Sequence, residues 1–284
     1  MTGSDGTPVG TRPPDLSIVL GTLNERAALP ELIERINHVD LPPYELVVVD
    51  DGSSDGTQEY VRELSAADPR IRLLTHSKPR TLIPAQSEGI VASRGQFVVV
   101  MDSDLQHPPE MIPTIYQHLR AGADLVIASR YGAQSSVDRT AMRSMISRGA
   151  ELIVRVVIRE ARTVSDPMSG FYAFRRTLFH PPSPMHRGYH MLPYMLLLSS
   201  GLTISEVPYT FGCRLNGKSK VTQNLGFIRV FLGQMATTAR IRSTLNGRSQ
   251  TRSVSRPPPT RAGVASEATL VSPSSRKGVP EARR

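Results

Sequence analysis

The chain has 284 residues, of which 39% are hydrophobic, enough to bury the core of one large α/β domain or two small ones. Its single cysteine, Cys213, excludes an internal disulfide framework and a cysteine-based zinc site, so a reducing cytoplasm is expected. Nine Lys or Arg and two Glu lie in Ile241–Arg284, which therefore carries +7 of the net charge of +9. This basic end lacks the interleaved aromatic residues of a single-strand nucleic-acid binder, so no nucleic-acid partner is expected.

The two ends of the chain differ in composition from the rest. Residues 1–14 hold one Arg and no apolar run, which predicts a disordered leader and not a secretory signal. Residues 246–284 are basic, rich in Ser and Pro and without periodicity, which predicts a disordered tail. One folded domain is expected over residues 15–245. No apolar run reaches the roughly 18 to 20 residues that cross a bilayer, so membrane contact is expected to be peripheral, at the cytoplasmic face.

Short β-branched apolar runs alternate with helical stretches through the first half of the chain. Such runs, bounded by turn residues, predict buried parallel strands. The alternation indicates an α/β fold with a Rossmann-like, mostly parallel sheet flanked by helices. In chain order we predict strand Leu16–Leu20, helix Ala28–Asn37, strand Glu45–Val49, helix Thr57–Leu64, strand Ile71–Leu74, helix Pro84–Ala92, strand Phe97–Met101, helix Pro109–Leu119 and strand Leu125–Ala128.

After residue 130 the pattern changes to longer amphipathic segments. A helix is predicted over Arg143–Glu160, with an inward apolar stripe. The C-terminal amphipathic helix is predicted over Leu225–Ala239, and it either lies at a membrane interface or closes the core. The stripe of the first helix consists of Ile146, Ala150, Ile153 and Val157. Between the two helices we predict helix Tyr189–Leu198 and strand Leu202–Val207.

An Asp-x-Asp sequence follows the predicted strand Phe97–Met101 directly. Asp102 and Asp104 are therefore expected at the carboxyl edge of the sheet, where ligands bind in such folds. Paired carboxylates suit Mg²⁺ or Mn²⁺, which neutralise a nucleotide diphosphate before its bond to a sugar breaks. An isolated Asp-x-Asp is also a common helix-capping turn. A second acidic turn upstream favours the metal site.

That second turn, residues 50–54 (Asp-Asp-Gly-Ser-Ser), follows the predicted strand Glu45–Val49. Its carboxylates can accept hydrogen bonds from a base or a ribose, although the same residues also suit a turn before a helix. Thr22, Asn24 and Glu25 add a polar rim after the first strand, where Asn24 alone would be a good helix N-cap.

With these turns in place, the chain from Asp15 to Val221 resembles the family 2 inverting glycosyltransferases, and among them the dolichol-phosphate and polyprenyl-phosphate mannosyltransferases. The resemblance implies a GT-A fold. The sequence departs from the family pattern at residues 21–23 and 80–85, near the expected donor pocket. The matching blocks, in order, are Asn24-Glu25, Val49 to Thr57, Asp102 to Glu110, Ser129-Arg130-Tyr131, Arg143 with Ile146-Ser147, Ser165 to Phe171, Glu206-Val207-Pro208 and Arg214 to Lys220.

The resemblance implies a role for each matched position. Guanidinium groups are well suited to the phosphates of two substrates, because they pair with them in a bidentate fashion. The implied metal ligands are Asp102, Asp104 and Gln106, for Mg²⁺ or Mn²⁺. The implied donor-binding residues are Thr22, Asn24, Glu25, Asp51, Ser53 and Asp102. The implied phosphate and acceptor residues are Arg130, Arg143, Ser147, Arg214 and Lys220. The implied catalytic residues are Asp104, Arg130 and Asp166, the last of which is also a candidate turn residue.

The implied reaction transfers a sugar, most simply mannose, from GDP-mannose or UDP-glucose to a polyprenyl phosphate with inversion. Because that phosphate is ionised near neutral pH, no strong general base is required, and His107, His186 and His190 are expected to be structural or solvated. A membrane surface is an expected partner, and a membrane partner subunit is compatible with the resemblance. The alternatives are a glycan, protein or small-molecule acceptor and, in a different class, a non-catalytic nucleotide-binding protein.

Overall fold

The computed structural model describes residues 13–78, 80–131, 141–182, 188–212 and 225–253. The strands are β1 (Leu16–Thr22), β2 (Tyr44–Asp50), β3 (Ile71–Thr75), β4 (Phe97–Asp102), β5 (Leu125–Ser129), β6 (Tyr172–Arg175) and β7 (Ile204–Pro208). They form one seven-stranded sheet in the order β3-β2-β1-β4-β6-β5-β7. Neighbouring strands are parallel except at β6, which runs antiparallel to both β4 and β5.

Helices cover both faces of this sheet. They are α1 (Leu29–His38), α2 (Thr57–Ala67), α3 (Leu82–Ala92), α4 (Ile112–Arg120), α5 (Ala141–Val157), α6 (Leu192–Leu197) and α7 (Leu225–Ser253), with 3₁₀ turns at Pro109–Met111, Arg159–Arg162 and Arg176–Leu178. Alternate strand residues point to opposite faces, so Ile18 packs in the core under α1, α2 and α4, whereas Val19 packs in the core under α3, α5, α6 and α7.

Local sequence signals explain where the first helices begin and end. In α1 a proline stands in the first turn with Glu31, and the last turn carries Arg35 and His38, which complements the helix dipole at both ends. Before α2, Gly56 adopts a φ of 86°, and the Asp55 side chain accepts the backbone N–H of Thr57.

The nine elements predicted up to residue 129 all occur, with boundaries shifted by up to three residues. The strand that the sequence did not predict is β6, only four residues long and too short to show periodicity. It separates β4 from β5, so these two consecutive strands are not neighbours, and the sheet is mixed.

The predicted apolar stripe of α5 is confirmed at Ala150 and Val157, which pack against the core, and is wrong at Ile153, which is exposed while Val154 is buried. The Ile146 side chain lies outside the described residues. Glu151 is also buried, and its carboxylate accepts a hydrogen bond from the Tyr131 hydroxyl. Apolar periodicity cannot detect an inward glutamate.

Helix α7 closes the core under its sheet face and continues beyond the predicted end at Ala239. Phe231 and Met235 are buried, and Gln234 donates to the backbone oxygen of His190. Within the described residues, no helix combines the length and the apolar character needed to cross a membrane. Internal contacts separate residues 1–244 from residues 245–284, and of the second unit the structure describes the helical backbone up to Ser253. The predicted leader, up to residue 12, and the tail beyond 253 lie outside the described residues, so the domain limits stay a prediction.

Close packing of α3 on the sheet depends on Gly89. A Cβ atom at this position would lie 2.6 Å from Val19 Cγ1 and 2.8 Å from Val49 Cγ2. We expect Gly89→Ala to lower the free energy of unfolding by about 1–3 kcal/mol, because overpacking outweighs the gain in helix propensity. Urea unfolding measures the change.

The matched control is Gly233→Ala in α7, where no atom lies within 4 Å of the added Cβ. It should leave stability unchanged or raise it by up to about 1 kcal/mol. Equal effects of the two substitutions would contradict the packing argument.

Candidate active site

The predicted polar turns meet along one edge of the sheet. Strand β1 lies between β2 and β4, and the strands are in register, with Thr22 opposite Asp50 and Gly21 opposite Asp102. Strand β6 is antiparallel, so its beginning, and not its end, lies at this same edge. The loop that precedes β6 therefore joins the turns after β1, β2, β4 and β5.

The loops after β1 and β2 are tied together by reciprocal hydrogen bonds. The Ser53 hydroxyl accepts the backbone N–H of Asn24 at 2.8 Å, and the Asn24 side-chain oxygen accepts the N–H of Ser54 at 2.8 Å. The Thr57 hydroxyl accepts the N–H of Glu25 at 3.1 Å. Asn24 thus joins two loops, and it is not the N-cap of α1, which is Ala28.

The adjacent aspartates at the end of β2, Asp50 and Asp51, have different hydrogen-bond partners. Asp50 is fully buried and accepts bonds from the Thr22 hydroxyl and from the backbone of Gly52 and Ser53, so it builds the turn. Asp51 instead faces the loop after β3: its Oδ2 accepts the N–H of Arg80 at 2.8 Å. This arrangement leaves Asp51, and not Asp50, as the carboxylate next to the expected donor pocket.

A charged cluster missed by the sequence analysis surrounds Asp51. His76 Nδ1 lies 3.2 Å from Asp51 Oδ1, and its Nε2 lies 2.6 Å from Glu88. The Arg80 guanidinium lies 2.8 Å from the same glutamate. Arg80 belongs to the segment in which the sequence departs from the family pattern. That departure therefore adds a positive charge beside the predicted nucleoside-binding carboxylate.

The Asp-x-Asp carboxylates lie in a tight turn at the end of β4. Asp104 is buried and its Oδ1 accepts the N–H of Gln106 at 3.1 Å, while Leu105 between them adopts a φ of 66°. The Asp102 side chain is more open, with 39% of its surface exposed. Gln106 donates from its side-chain nitrogen to Gly212 O at 3.4 Å, which turns its carbonyl oxygen away from that contact. Asp102, Asp104 and Gln106 thus place three side chains with metal-ligating oxygen atoms in one turn.

His107 holds this turn in place as a neutral ring. Its Nδ1 accepts the N–H of Asp102 at 2.9 Å, and its ring stacks on Phe171 at 5.3 Å and meets Tyr209 and Phe211 edge-on. Burial lowers the pKa of His107 to about 4, against the opposing charge of Asp104. The ring is therefore uncharged at neutral pH and positions the aspartates.

Gly170 permits the loop before β6 to approach the aspartates. A Cβ atom there would lie 3.0 Å from both Asp102 Oδ2 and His107 Cε1. Ser169, on one side of this glycine, donates its hydroxyl to the backbone oxygen of Ala128 at 2.7 Å. The Ser-Gly-Phe sequence thus packs the start of β6 against the ends of β4 and β5.

A buried ion pair joins Arg130 to Asp166. The guanidinium donates from Nε and from a terminal nitrogen to the two carboxylate oxygens, both at 2.7 Å, and the Arg130 backbone N–H donates to the same carboxylate at 3.1 Å. Asp166 is fully buried. Burial by itself lowers the pKa of Arg130, but the hydrogen bonds and charge of Asp166 outweigh it and raise that pKa above its ordinary value. Arg130 is therefore a fixed cation.

The loop that carries Asp166 is held from two sides through Ser165. The Glu206 carboxylate accepts the N–H of Ser165 at 2.9 Å and its hydroxyl at 2.7 Å. From α5, the Arg155 guanidinium donates to the backbone oxygens of Val164 at 2.8 Å and Ser165 at 2.9 Å. These contacts make Glu206 and Arg155 positioning residues for the ion pair.

The predicted acceptor residues are described only in part. Ser147 lies on α5, and its hydroxyl donates at 3.4 Å to the buried Glu151, whose carboxylate also binds the Tyr131 hydroxyl. To bind a phosphate, the Ser147 hydroxyl has to turn away from this carboxylate. The Arg143 side chain and the residues Arg214 and Lys220 lie outside the described part of the chain.

Sequence reasoning missed two kinds of site residue. His107 is not among them, because it was expected to be structural or solvated and is structural: it holds the Asp-x-Asp turn. Glu206 was matched to the family pattern but given no role. Arg155 and the His76 cluster carry no sequence signal, because their partners are distant in the chain.

Comparison with known proteins identifies related sequences. The family model described as "Glycosyl transferase family 2" matches residues 17–181. A dolichol-phosphate mannosyltransferase of Pyrococcus furiosus is 38% identical over 208 residues, covering 72% of this chain and 59% of that protein. A polyprenol monophosphomannose synthase of Mycolicibacterium smegmatis is 32% identical over 231 residues, covering 78% and 86%. The chain thus spans less than two thirds of the length of the Pyrococcus relative.

Solved structures share the fold. A glucosyl-3-phosphoglycerate synthase of Mycobacterium tuberculosis, in complex with Mn²⁺, UDP-glucose and phosphoglyceric acid, matches with a TM-score of 0.58 and 23% identity. The match covers 81% of this chain and 79% of that one. It confirms the predicted α/β architecture, a mostly parallel sheet flanked by helices.

The requirement for charge pairing between Arg130 and Asp166 is testable by removing one partner. We expect Asp166→Asn to lower the free energy of unfolding by about 3–5 kcal/mol, because it leaves a buried guanidinium without its counter-charge. Chemical unfolding measures this loss.

The exposed ion pair of Asp68 and Arg70, whose atoms lie 2.7 Å apart, provides the matched control. Asp68→Asn should change stability by less than about 1 kcal/mol, since exposed ion pairs contribute little. A similar small effect of Asp166→Asn would show that the buried pair is dispensable.

We expect acidification to lower the free energy of unfolding through protonation of His107. Because its folded pKa of about 4 lies below the ordinary value of 6.5, the unfolded chain binds the proton more readily, and stability falls as pH drops from 6.5 towards 4. Between pH 7 and pH 4.5 this residue alone should remove roughly 2–3 kcal/mol, at 1.36 kcal/mol per pKa unit.

The measurement is urea unfolding of the parent protein and of His107→Gln at both pH values. The variant, which lacks the titrating ring, should lose less stability on acidification than the parent by that amount. Parallel losses in the two proteins would refute the assignment.

Proposed function

Since the chain belongs to glycosyl transferase family 2, we propose that it transfers a sugar, mannose first, from a nucleotide-sugar donor to the phosphate of a polyprenyl lipid. The observation that carries the proposal is the assembly at one sheet edge of the Asp102–Asp104 turn with the fixed cation Arg130. The Phe211 ring lies between the two groups, with its centroid 5.7 Å from the His107 ring and 6.0 Å from Cζ of Arg130. The names of the relatives support a polyprenyl-type acceptor and mannose.

The donor would bind at the loops after β1, β2 and β4. Asp51 offers a carboxylate for the base or ribose, and Thr22, Asn24, Glu25 and Ser53 frame the same edge. Several of these residues make hydrogen bonds that shape the loops. They would therefore contribute to binding indirectly, by fixing the loop that carries Asp51. We propose GDP-mannose as the first donor, because the relatives are named for mannose transfer, and UDP-glucose, present in the complex of the structural neighbour, as the second.

The residues present fit a divalent cation that arrives with the donor. The described residues contain no group of three His, Cys, Asp or Glu able to hold a metal alone. Mg²⁺ is commonly bound by one or two carboxylates together with substrate phosphates, and Asp102, Asp104 and the Gln106 amide oxygen would supply such a partial set. The ion, Mg²⁺ or Mn²⁺, would neutralise the departing diphosphate.

In the proposed reaction an oxygen of the lipid phosphate attacks the anomeric carbon from the side opposite the diphosphate. The new C–O bond forms as the bond to the donor diphosphate breaks, and that electron pair leaves with the nucleoside diphosphate. No side chain has to remove a proton, because the phosphate is already ionised. Arg130, oriented by Asp166, would hold phosphate oxygens, and Ser147, Arg143, Arg214 and Lys220 are the remaining candidates for the acceptor phosphate.

A small anionic acceptor is the second candidate. It is favoured by the fold relationship to a synthase whose complex contains phosphoglyceric acid. We favour the lipid because the relatives with 32% or greater identity are named for dolichol or polyprenol. The proposed location is the cytoplasmic face of a membrane, with a membrane subunit as a further candidate partner.

The test incubates purified protein with Mn²⁺ and labelled GDP-mannose or UDP-glucose, with polyprenyl phosphate or phosphoglycerate as acceptor. We expect label in the organic phase with GDP-mannose and the lipid. Asp102→Asn and Asp104→Asn should reduce turnover on the order of 100-fold or more, since electrostatic stabilisation of the leaving group is lost.

Asp40→Asn, a change at an exposed aspartate outside the sheet edge, is the control and should retain full activity. Product confined to the aqueous phase would exclude the lipid acceptor. Unchanged turnover in folded Asp102→Asn and Asp104→Asn proteins would exclude the site.

A further inference from the structure

Helix α5 presents apolar side chains to solvent. Leu152 is 63% exposed, Val156 is 65% exposed and Ile153 between them is 37% exposed. Residues four apart lie on the same side of a helix, so Leu152 and Val156 form one ridge with Ile153 at its edge. The opposite side of α5 is buried through Val154 and Glu151. We call the ridge of Leu152, Ile153 and Val156 the α5 ridge.

Exposed arginines stand at both ends of the α5 ridge. Arg148 precedes Leu152 by one turn, and Arg159 and Arg162 follow Val156 in the 3₁₀ turn. Of the two acidic residues next to the ridge in sequence, Glu151 is buried and Glu160 is half-buried. An aliphatic stripe flanked by arginines is typical of helices that lie in the plane of a membrane interface, where the guanidinium groups meet anionic headgroups.

The α5 ridge is also rigidly connected to the active site. Arg155, which follows Leu152 by three residues on the same helix, donates to the backbone oxygen of Ser165, next to Asp166. Ser147, a candidate for the acceptor phosphate, precedes Leu152 by five residues, about 7.5 Å along the helix axis. A surface that rests on the α5 ridge therefore lies within two helical turns of the place where the lipid phosphate is expected.

We propose that the α5 ridge, with Arg148, Arg159 and Arg162, docks the protein on a lipid bilayer that contains anionic headgroups. The proposal rests on the proposed function, because it supplies the surface from which a lipid phosphate would enter the site. The amphipathic C-terminal helix, the candidate from sequence, buries Phe231 and Met235 in the core, and its Ile228 and Leu232, each 48% exposed, are less exposed than Leu152 and Val156.

A second copy of the chain fits the α5 ridge less well than a membrane does. Stable protein interfaces bury about 800 Å² on each partner, far more than three aliphatic side chains provide. Arginines at both ends of the ridge would also face arginines of the second copy in either helix orientation, and like charges repel. An anionic membrane satisfies both the apolar ridge and its cations.

The experiment measures co-sedimentation of the full chain with phosphatidylcholine vesicles, with and without phosphatidylglycerol, in the absence of donor and acceptor. The parent protein should bind, and more strongly when phosphatidylglycerol is present. Leu152→Glu with Val156→Glu should lower the partition coefficient at least about tenfold on both vesicles, through lost apolar burial and added negative charge. Arg148→Gln with Arg159→Gln should lower it only on the anionic vesicles, about tenfold or more.

Val91→Glu is the matched control, because Val91 is 61% exposed and lies on α3, not on the helix that carries the ridge. It should bind like the parent protein. The basic C-terminal segment is common to all variants, so differences between them report on α5. Leu152→Ser with Val156→Ser, a milder change, repeats the test if the glutamate pair fails to fold.

Binding of the ridge variants equal to that of the parent would overturn the proposal. Loss of a dimer in sedimentation velocity, together with absence of vesicle binding by the parent, would assign the ridge to self-association and also overturn it. Turnover with a short, water-soluble polyprenyl phosphate separates the two hypotheses: ridge variants should keep it. Vesicle binding without any transfer would reject the proposed reaction and leave the docking surface standing.

Discussion

The buried ion pair between Arg130 and Asp166 is the interaction around which the site is organised. One carboxylate binds both the side chain and the backbone N–H of Arg130, so it joins the end of β5 to the loop that enters β6. A buried charge is tolerated only when it is paired and hydrogen-bonded. The loop is therefore held where the carboxylate meets the guanidinium, and Ser165, bound by Glu206 and Arg155, reinforces that position.

The antiparallel direction of β6 has a chemical consequence. It brings the start of the strand, and not its end, to the edge where the parallel strands terminate. Gly170 can then lie against Asp102 and His107, and Phe171 stacks on the histidine ring. Because burial keeps that ring neutral, it fixes the Asp102 backbone without bringing a positive charge to the carboxylates that would face a metal.

Adjacent residues divide structural and binding work on both sides of the site. Asp50 is enclosed by hydrogen bonds from its own turn, whereas Asp51 turns to His76 and Arg80 and borders the proposed donor pocket. Helix α5 also combines two kinds of contact. Its Arg155 holds the Asp166 loop, and its outer side carries the exposed aliphatic ridge. Bracing and docking in one rigid helix would place the membrane surface at a defined distance from the ion pair.

The sequence by itself determined the alternation of strands and helices up to residue 129, because apolar runs and turn residues are local signals. It also indicated that the turns after β1, β2 and β4 share one edge, since parallel strands end on the same side. Only the tertiary structure decided the insertion of β6 between β4 and β5, because a strand of four residues is too short to show periodicity in the sequence. It likewise decided that Glu151 is buried on α5, because an inward glutamate contradicts apolar periodicity and is stabilised by Tyr131, twenty residues away. Pairings such as Arg130 with Asp166 and Glu206 with Ser165 depend on residues 36 and 41 positions apart, and local patterns carry no information about such contacts.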